Sequence, residues 1–244
     1  MGKRLVSQAR GRGGPRYRSP SHRFRGKPEH RPYDENEKIG MVFGTIKDLV
    51  HCPGHSAPLA AVEYETGERG YILAAEGLRV NQKIASGINA PIEIGNTLPL
   101  KSIPVGTDVY NIESAPGDQG KFVRTSGGVA RVVGKIKDKI VLKLSSKKSR
   151  MFNPECRATI GIIAGSGRLE KPLLKAGKKY YAKKAKNKLF PVTSAGAMNA
   201  TDHPFGSGRG GPTYGGKASS NAPRNAPAGR NVGLIRARRT GRKK

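Results

Sequence analysis

Between Ile39 and Gly165 the apolar residues arrive in short runs rich in β-branched side chains, each cut off by a turn signal, and this punctuation leaves room for little besides short strands. MVFGTIKDLV, APLAAVEYE and RGYILAAE are separated by PGHS and ETGE, which predicts a small antiparallel barrel. After PIEIG, beginning at Pro91, a second series follows: TDVYNIES, KFVRTS, GVARVVGKI, IVLKLSS and CRATIGIIAG, with a hairpin turn at Lys137-Asp138-Lys139. A second all-β barrel accounts for this spacing better than alternating strands and helices. The chain shows no internal repeat at a fixed period. The expected class is mainly β, with the barrels spanning residues 39–94 and 95–192 of the 244.

The rest of the chain cannot build a core. Residues 1–38 mix Arg, Gly, Pro, Ser and aromatics with no apolar period, and read as a basic arm. In it, Tyr17, Phe24 and Tyr33 fall among arginines, so rings and guanidinium planes are expected to stack on unpaired bases. Leu173 to Leu189 holds helix formers and many lysines but no apolar stripe, and a helix that polar needs a partner surface. Residues 193–244 read as a glycine-rich loop and a second basic arm, ending in a short apolar patch at Val232, Leu234 and Ile235.

Charge selects the partner. The chain carries 46 Lys and Arg against 17 Asp and Glu, a net +29 that repels itself unless a polyanion neutralises it. Residues 39–120 are net −4, whereas residues 1–32, 121–200 and 201–244 are net +9, +17 and +9. The first barrel therefore has an ordinary balance, and the flanks and second barrel carry the electrostatic footprint. No run reaches the length of a membrane span, and MGKRLVSQARGRGG lacks the apolar stretch of a signal peptide. Cys52 and Cys156 form no disulfide framework. A cytoplasmic protein without a membrane partner is expected.

Few residues offer chemistry. His51, Cys52 and His55 could supply two or three zinc ligands, but no paired Cys-x-x-Cys half accompanies them, so a polar turn is the expectation and no metal is assigned. The tract AMNATDHPFGSGRGG, Ala197 to Gly211, sets His203 and Asp202 among glycines; such a segment is irregular, and something outside it is expected to fix its shape. An imidazole beside a carboxylate is a conceivable general base, yet no nucleophile elbow surrounds Thr193, Ser194 or Ser207, and none of the glycine tracts has the Lys-Ser/Thr of a phosphate loop. His203 is thus a catalytic candidate only. It is expected, with Asn199 and Asp202, to contact RNA. In the second barrel, lysines alternate with Val141, Leu142 and Leu144 from Lys135 to Lys148, and KLSSKKSR reads as a phosphate clamp. No cofactor is expected.

GDQGKFVRTSG, CRATIGIIAGSGRLEKPLLKAG, AMNATDHPFGSGRGG and NAPAGRNVGLIRARRTGR, in that order and spacing, resemble the universal family of large-subunit ribosomal protein two, in its archaeal or eukaryote-like form. The resemblance implies an oligonucleotide-binding (OB) barrel followed by an SH3-like barrel, with terminal arms threaded into rRNA. It implies large-subunit rRNA and neighbouring ribosomal proteins as partners, the small subunit at the intersubunit face, and a structural, non-enzymatic role in translation within the large ribosomal subunit. It also implies that the loop carrying His203 points toward the peptidyl-transferase region. Bacterial relatives usually have a second histidine at the position of Phe205, so a histidine pair is not available and Phe205 is expected to stack on a base. The expected rRNA contacts are Arg10, Arg12, Arg16, Arg23 and Arg25 in the first arm; Arg124, Arg131, Lys147, Lys148 and Arg150 on the second barrel; Asn199, Asp202, His203 and Arg209 in the loop; and Arg236, Arg238, Arg239 and Arg242 in the tail. A histidine-dependent hydrolase and a general cationic packaging protein are the rival readings.

Overall fold

The computed structural model describes residues 2–10, 12–208 and 225–230, and these fall into two compact units, one of residues 19–186 and one drawn from residues 1–18 and 187–244. In the larger unit ten strands follow one another: β1 (Met41–Val50), β2 (Leu59–Tyr64), β3 (Arg69–Leu73), β4 (Lys83–Gly87), β5 (Thr97–Pro99), β6 (Asp108–Tyr110), β7 (Ala130–Ile136), β8 (Lys139–Lys143), β9 (Ser149–Phe152) and β10 (Arg157–Ile160). They form a continuous sheet in the order β3-β2-β1-β4-β5-β10-β6-β7-β8-β9. All neighbours are antiparallel except β4 and β5, which meet through the parallel pair Ser86 and Thr97. The chain is mainly β, as its punctuation predicts.

Two cores lie on either side of that parallel junction. The first packs Val42, Ile46, Leu59, Val62, Leu73 and Ile84, and borrows Tyr110 and Ile163 from later in the chain. The second packs Leu98, Leu100, Val109, Ile112, Leu142, Phe152 and Ile160. Period-two alternation sends Val42, Gly44 and Ile46 of β1 inward, and a bulge between Ile46 and Asp48 ends that regularity. β10 has neighbours on both edges and all four of its residues are buried.

The structure departs from the expected strands in two ways. KFVRTS makes only an isolated bridge, Ile112 to Phe122, because Gln119, Gly120 and Val123 all take positive φ and curl the chain. β4, β5 and β9 are strands without an apolar run. In β4 the small residues Ala85, Ser86 and Gly87 are there for close approach: Gly87 has φ 141°, and a Cβ on it would lie 2.3 Å from the Gly40 carbonyl oxygen.

The second half of the expected N-terminal arm is built into this unit. Pro28 bridges to Tyr71 at the edge of β3, the Glu29 amide donates to the Tyr71 carbonyl, and a short helix α1 (Glu35–Ile39) is capped by Asp34, which accepts the Glu37 amide at 3.1 Å. The cause is a buried ionic network centred on Arg157 of β10. Its guanidinium donates to Glu37 and to the Arg31 carbonyl oxygen (2.6 Å), and through Nη2 to Glu113 (2.7 Å). Ser86 donates to the other oxygen of Glu37, and Glu113 also accepts the amides of Arg157, Gly117 and Gln119. Arg31, itself buried, is held between Asp34 and Glu68.

Titration follows from this geometry. Burial pushes the Glu37 carboxyl above its usual range although Arg157 opposes it; at Glu113 burial acts the same way, but Arg157 outweighs it and the carboxyl ends below its usual range. His30, buried with Nε2 donating to the Asn111 carbonyl at 2.6 Å, is lowered from 6.5 to about 4 by burial and by Arg157.

Replacing Arg157→Met leaves two buried carboxylates without their cation and is expected to destabilise the chain by about 3–5 kcal/mol in denaturant titrations. His30 binds a proton more readily unfolded than folded, so its contribution is full above pH 6.5 and is lost as pH falls toward about 4. His30→Gln should therefore remove part of the acid-side loss of stability, on the order of 3 kcal/mol, read as the difference between the two pH profiles.

Candidate RNA interface

The second barrel presents a row of charge on one face of the sheet. Register places Asp108, Arg131, Lys143 and Ser149 side by side across β6, β7, β8 and β9. Arg131 is exposed and engages Asp108 through Nε (2.8 Å) and Nη2 (3.1 Å). The β8–β9 hairpin closes through two backbone bonds, the Lys147 amide to the Leu144 carbonyl (2.8 Å) and the Leu144 amide to the Lys148 carbonyl (2.9 Å), with Lys147 at φ 64°. That turn carries Lys147 and Lys148 into solvent. Arg150 lies on the opposite face of β9, stacked 4.4 Å from the centre of the Phe122 ring, which meets Phe152 edge to face. The residue as a whole stays exposed while its guanidinium lies over the aromatic pair, 5.5 Å from the centre of the Phe152 ring.

Arg124 is placed differently. It is half-buried and donates to the carbonyls of Pro28 and Gly120, tethering the 28–31 segment from behind. Arg23 and Arg25 are exposed around the 3-10 turn Ser21–Arg23, but the aromatics beside them are engaged within the protein. Phe24 packs against the first core over Gly54, edge to face with His55, and Tyr33 lies under the Arg157 guanidinium at 5.0 Å. The expectation that these two rings stack on bases is corrected: a core edge and a buried cation claim them first. His55 Nδ1 sits 3.1 Å from the sulfur of buried Cys52, and His51 is exposed; among the described residues no three His, Cys, Asp or Glu side chains are grouped to hold a metal.

In the smaller unit Arg10, Arg12 and Arg16 are exposed, with Arg16 5.8 Å from the centre of the half-buried Tyr17 ring. Its main feature is the loop around His203. Asn199 accepts the amides of Asp202 and His203, the Gly206 amide donates to His203, the Ser207 amide donates to Met198, and Ser207 Oγ accepts the Ala200 amide. Here the structure differs from expectation, for residues 198–207 fix much of their own shape. Gly206 makes this possible, since a Cβ there would lie 2.2 Å from the Asn199 carbonyl oxygen. The N-terminus braces the loop: the Lys3 amide donates to Thr201, and Lys3 Nζ pairs with Asp202 at 3.1 Å. His203 Nδ1 accepts the Phe205 amide at 3.0 Å, which puts the proton of the neutral ring on Nε2, and the two rings meet edge to face at 5.0 Å. Arg209, Arg236, Arg238, Arg239 and Arg242 lie outside the described residues.

Comparison with known proteins decides the family. Residues 2–86 match the profile of the RNA binding N-terminal domain of Ribosomal Proteins L2, and residues 93–229 match the C-terminal domain of the same proteins. The chain belongs to the ribosomal protein L2 family. Similar curated proteins, each named large ribosomal subunit protein uL2, come from Methanococcus vannielii (52% identical over 243 residues), Methanothermobacter thermautotrophicus (50% over 244) and Methanosphaera stadtmanae (50% over 244); each alignment covers 100% of both chains. The archaeal resemblance of the four motifs agrees with these relatives. Residues that sequence reasoning missed, His30, Arg31, Glu37, Glu113 and Arg157, are the internal ones, and they hold the L2 barrels and the 28–39 segment together.

Gly206→Ala is expected to open the 198–207 loop. Amide exchange at Gly206 and Ser207 should rise to that of unprotected backbone, while residues 41–160 keep their protection.

Proposed function

We propose that this chain is a structural constituent of the large ribosomal subunit that binds the large-subunit rRNA directly and acts in cytoplasmic translation. The observation that carries the reading is how charge is partitioned. At least eight of the 17 acidic side chains are in ion pairs within the protein, with Glu37 and Glu113 fully buried, so few acids remain to offset the cations at the surface. A polyanion is the counter-charge such a surface requires. The barrels at 39–94 and 95–192, with residues 28–38 built against them, serve as the rigid base, and the rest of the 1–38 arm and the 193–244 segment as the parts that reach into RNA.

In this reading Arg131, Lys147, Lys148 and Arg150 hold phosphates on the second barrel, Arg10, Arg12, Arg16, Arg23 and Arg25 anchor the first arm, and Arg124 acts through the segment it tethers. Arg209, Arg236, Arg238, Arg239 and Arg242 secure the tail. Asn199, Asp202 and His203 shape RNA near the peptidyl-transferase region, and neighbouring ribosomal proteins and the small subunit meet the protein at its outer faces. His203 is assigned no catalytic role: Asp202 pairs with Lys3 rather than with the imidazole, and Nδ1 is already an acceptor for Phe205. A base without an orienting carboxylate and with one nitrogen engaged fits recognition better than proton transfer.

Charge reversal at Lys147 and Lys148 tests the clamp. The salt dependence of rRNA binding should flatten by about two in log–log slope, because each lost phosphate contact withholds about one counterion. An unchanged slope removes these lysines from the interface, and loss of the chain from large subunits in a high-salt wash would remove the larger reading.

A further inference from the structure

The segment from Leu169 to Lys184 is folded, yet among the described residues it buries none of its side chains. Leu169 is 87% exposed, Leu174 84% and Tyr181 69%. It ends in a second helix of the larger unit, α2 (Ala176–Lys184), which buries no side chain. The helix has no side-chain cap at Lys175 and no acid in its first turn, where the helix dipole favours one. Lys175 and Lys179, and Lys179 and Lys183, repeat like charge at i and i+4. Nine residues is below the length at which a helix sustains itself in water.

The chemistry of a fitting cover can be read from what is exposed. Eight lysines occur between residues 171 and 188, and Glu170 is the one acid between residues 156 and 201. Two phenol rings stand among them: Tyr180 and Tyr181 meet edge to face at 5.4 Å, and Lys184 Nζ lies 5.9 Å from the centre of the Tyr180 ring. Phosphates account for the lysines but leave exposed rings unexplained, whereas unpaired bases supply flat faces for them.

Resting on the rRNA-binding reading, we propose that α2 is a binding site for an unpaired stretch of rRNA, in which Tyr180 and Tyr181 stack on bases, the flanking lysines hold phosphates, and the contact itself stabilises the helix. This separates two kinds of residue by what they do to salt dependence. Tyrosines contribute affinity without counterion release; lysines contribute both.

The test uses the full chain on deproteinised large-subunit rRNA. The double variant Tyr180→Ala/Tyr181→Ala should bind more weakly by about thirtyfold or more with an unchanged salt slope, and Tyr180→Phe/Tyr181→Phe should restore binding. Lys178→Gln/Lys183→Gln should instead flatten the slope by about two. Amide exchange over residues 176–184 should slow in the complex. Wild-type affinity of the alanine pair overturns the proposal, as does a phenylalanine pair as weak as the alanine pair. A photo-crosslinker at position 181 should attach to RNA in assembled subunits; attachment to protein overturns it in favour of a protein partner. Failure of the underlying reading is distinct, for then the unaltered chain itself shows no preference for rRNA over duplex DNA.

Discussion

A buried arginine in the middle of a sheet is the constraint on which the larger unit depends. Arg157 sits on β10, where strands on both edges exclude water, so its charge must be met inside the protein. The groups that meet it come from far apart in the chain: Glu37 from α1, the Arg31 carbonyl from the segment before it, and Glu113 from the loop after β6. Each is itself satisfied, Glu37 by Ser86 and Glu113 by the Gly117 and Gln119 amides. An ion pair of this kind adds little net stability compared with well-packed apolar residues, but losing one member is costly, so it specifies which segments must come together. It draws residues 28–39 onto the barrels and fixes the curl of residues 113–120.

The same network sets the character of the surface. Carboxylates used inside are not available outside, and the exposed face of β7, β8 and β9, the β8–β9 turn and the lysine-rich helix are left with excess positive charge. The protein is thus internally neutralised and externally cationic, which suits a partner that is a polyanion with a fixed shape. The loop at residues 198–207 shows another economy: a compact set of hydrogen bonds, permitted by Gly206 and braced by Lys3, holds the half-buried His203 and Phe205 in place.

Much of the fold was legible. The β1, β2, β3, β7, β8 and β10 runs announce themselves by β-branched residues between turn signals, and Lys137-Asp138-Lys139 does form the hairpin. β4, β5 and β9 were not legible because each is only three to five residues long and brings just one or two apolar side chains into a core, Ile84 and Ala85, Leu98, and Phe152 respectively. Of the candidate site, the exposure of cations such as Lys147 and Lys148 was legible. The site was misread at Phe24 and Tyr33, since an aromatic among arginines looks alike whether it faces a base or, as Tyr33 does, a buried guanidinium.

Composition and local pattern determined the class, the partner's charge and the positions of most strands, because these depend on short-range periodicity and on net charge, which any linear reading contains. Which charges face inward was decided only by the tertiary structure. Asp34 and Glu37 stand three apart in a way that announces a helix start, yet nothing nearby says that Glu37 will meet an arginine 120 residues later. Desolvation is a property of the assembled fold, and the pairing of Arg157 with Glu37 and Glu113 exists only once three distant segments exclude water from the same place.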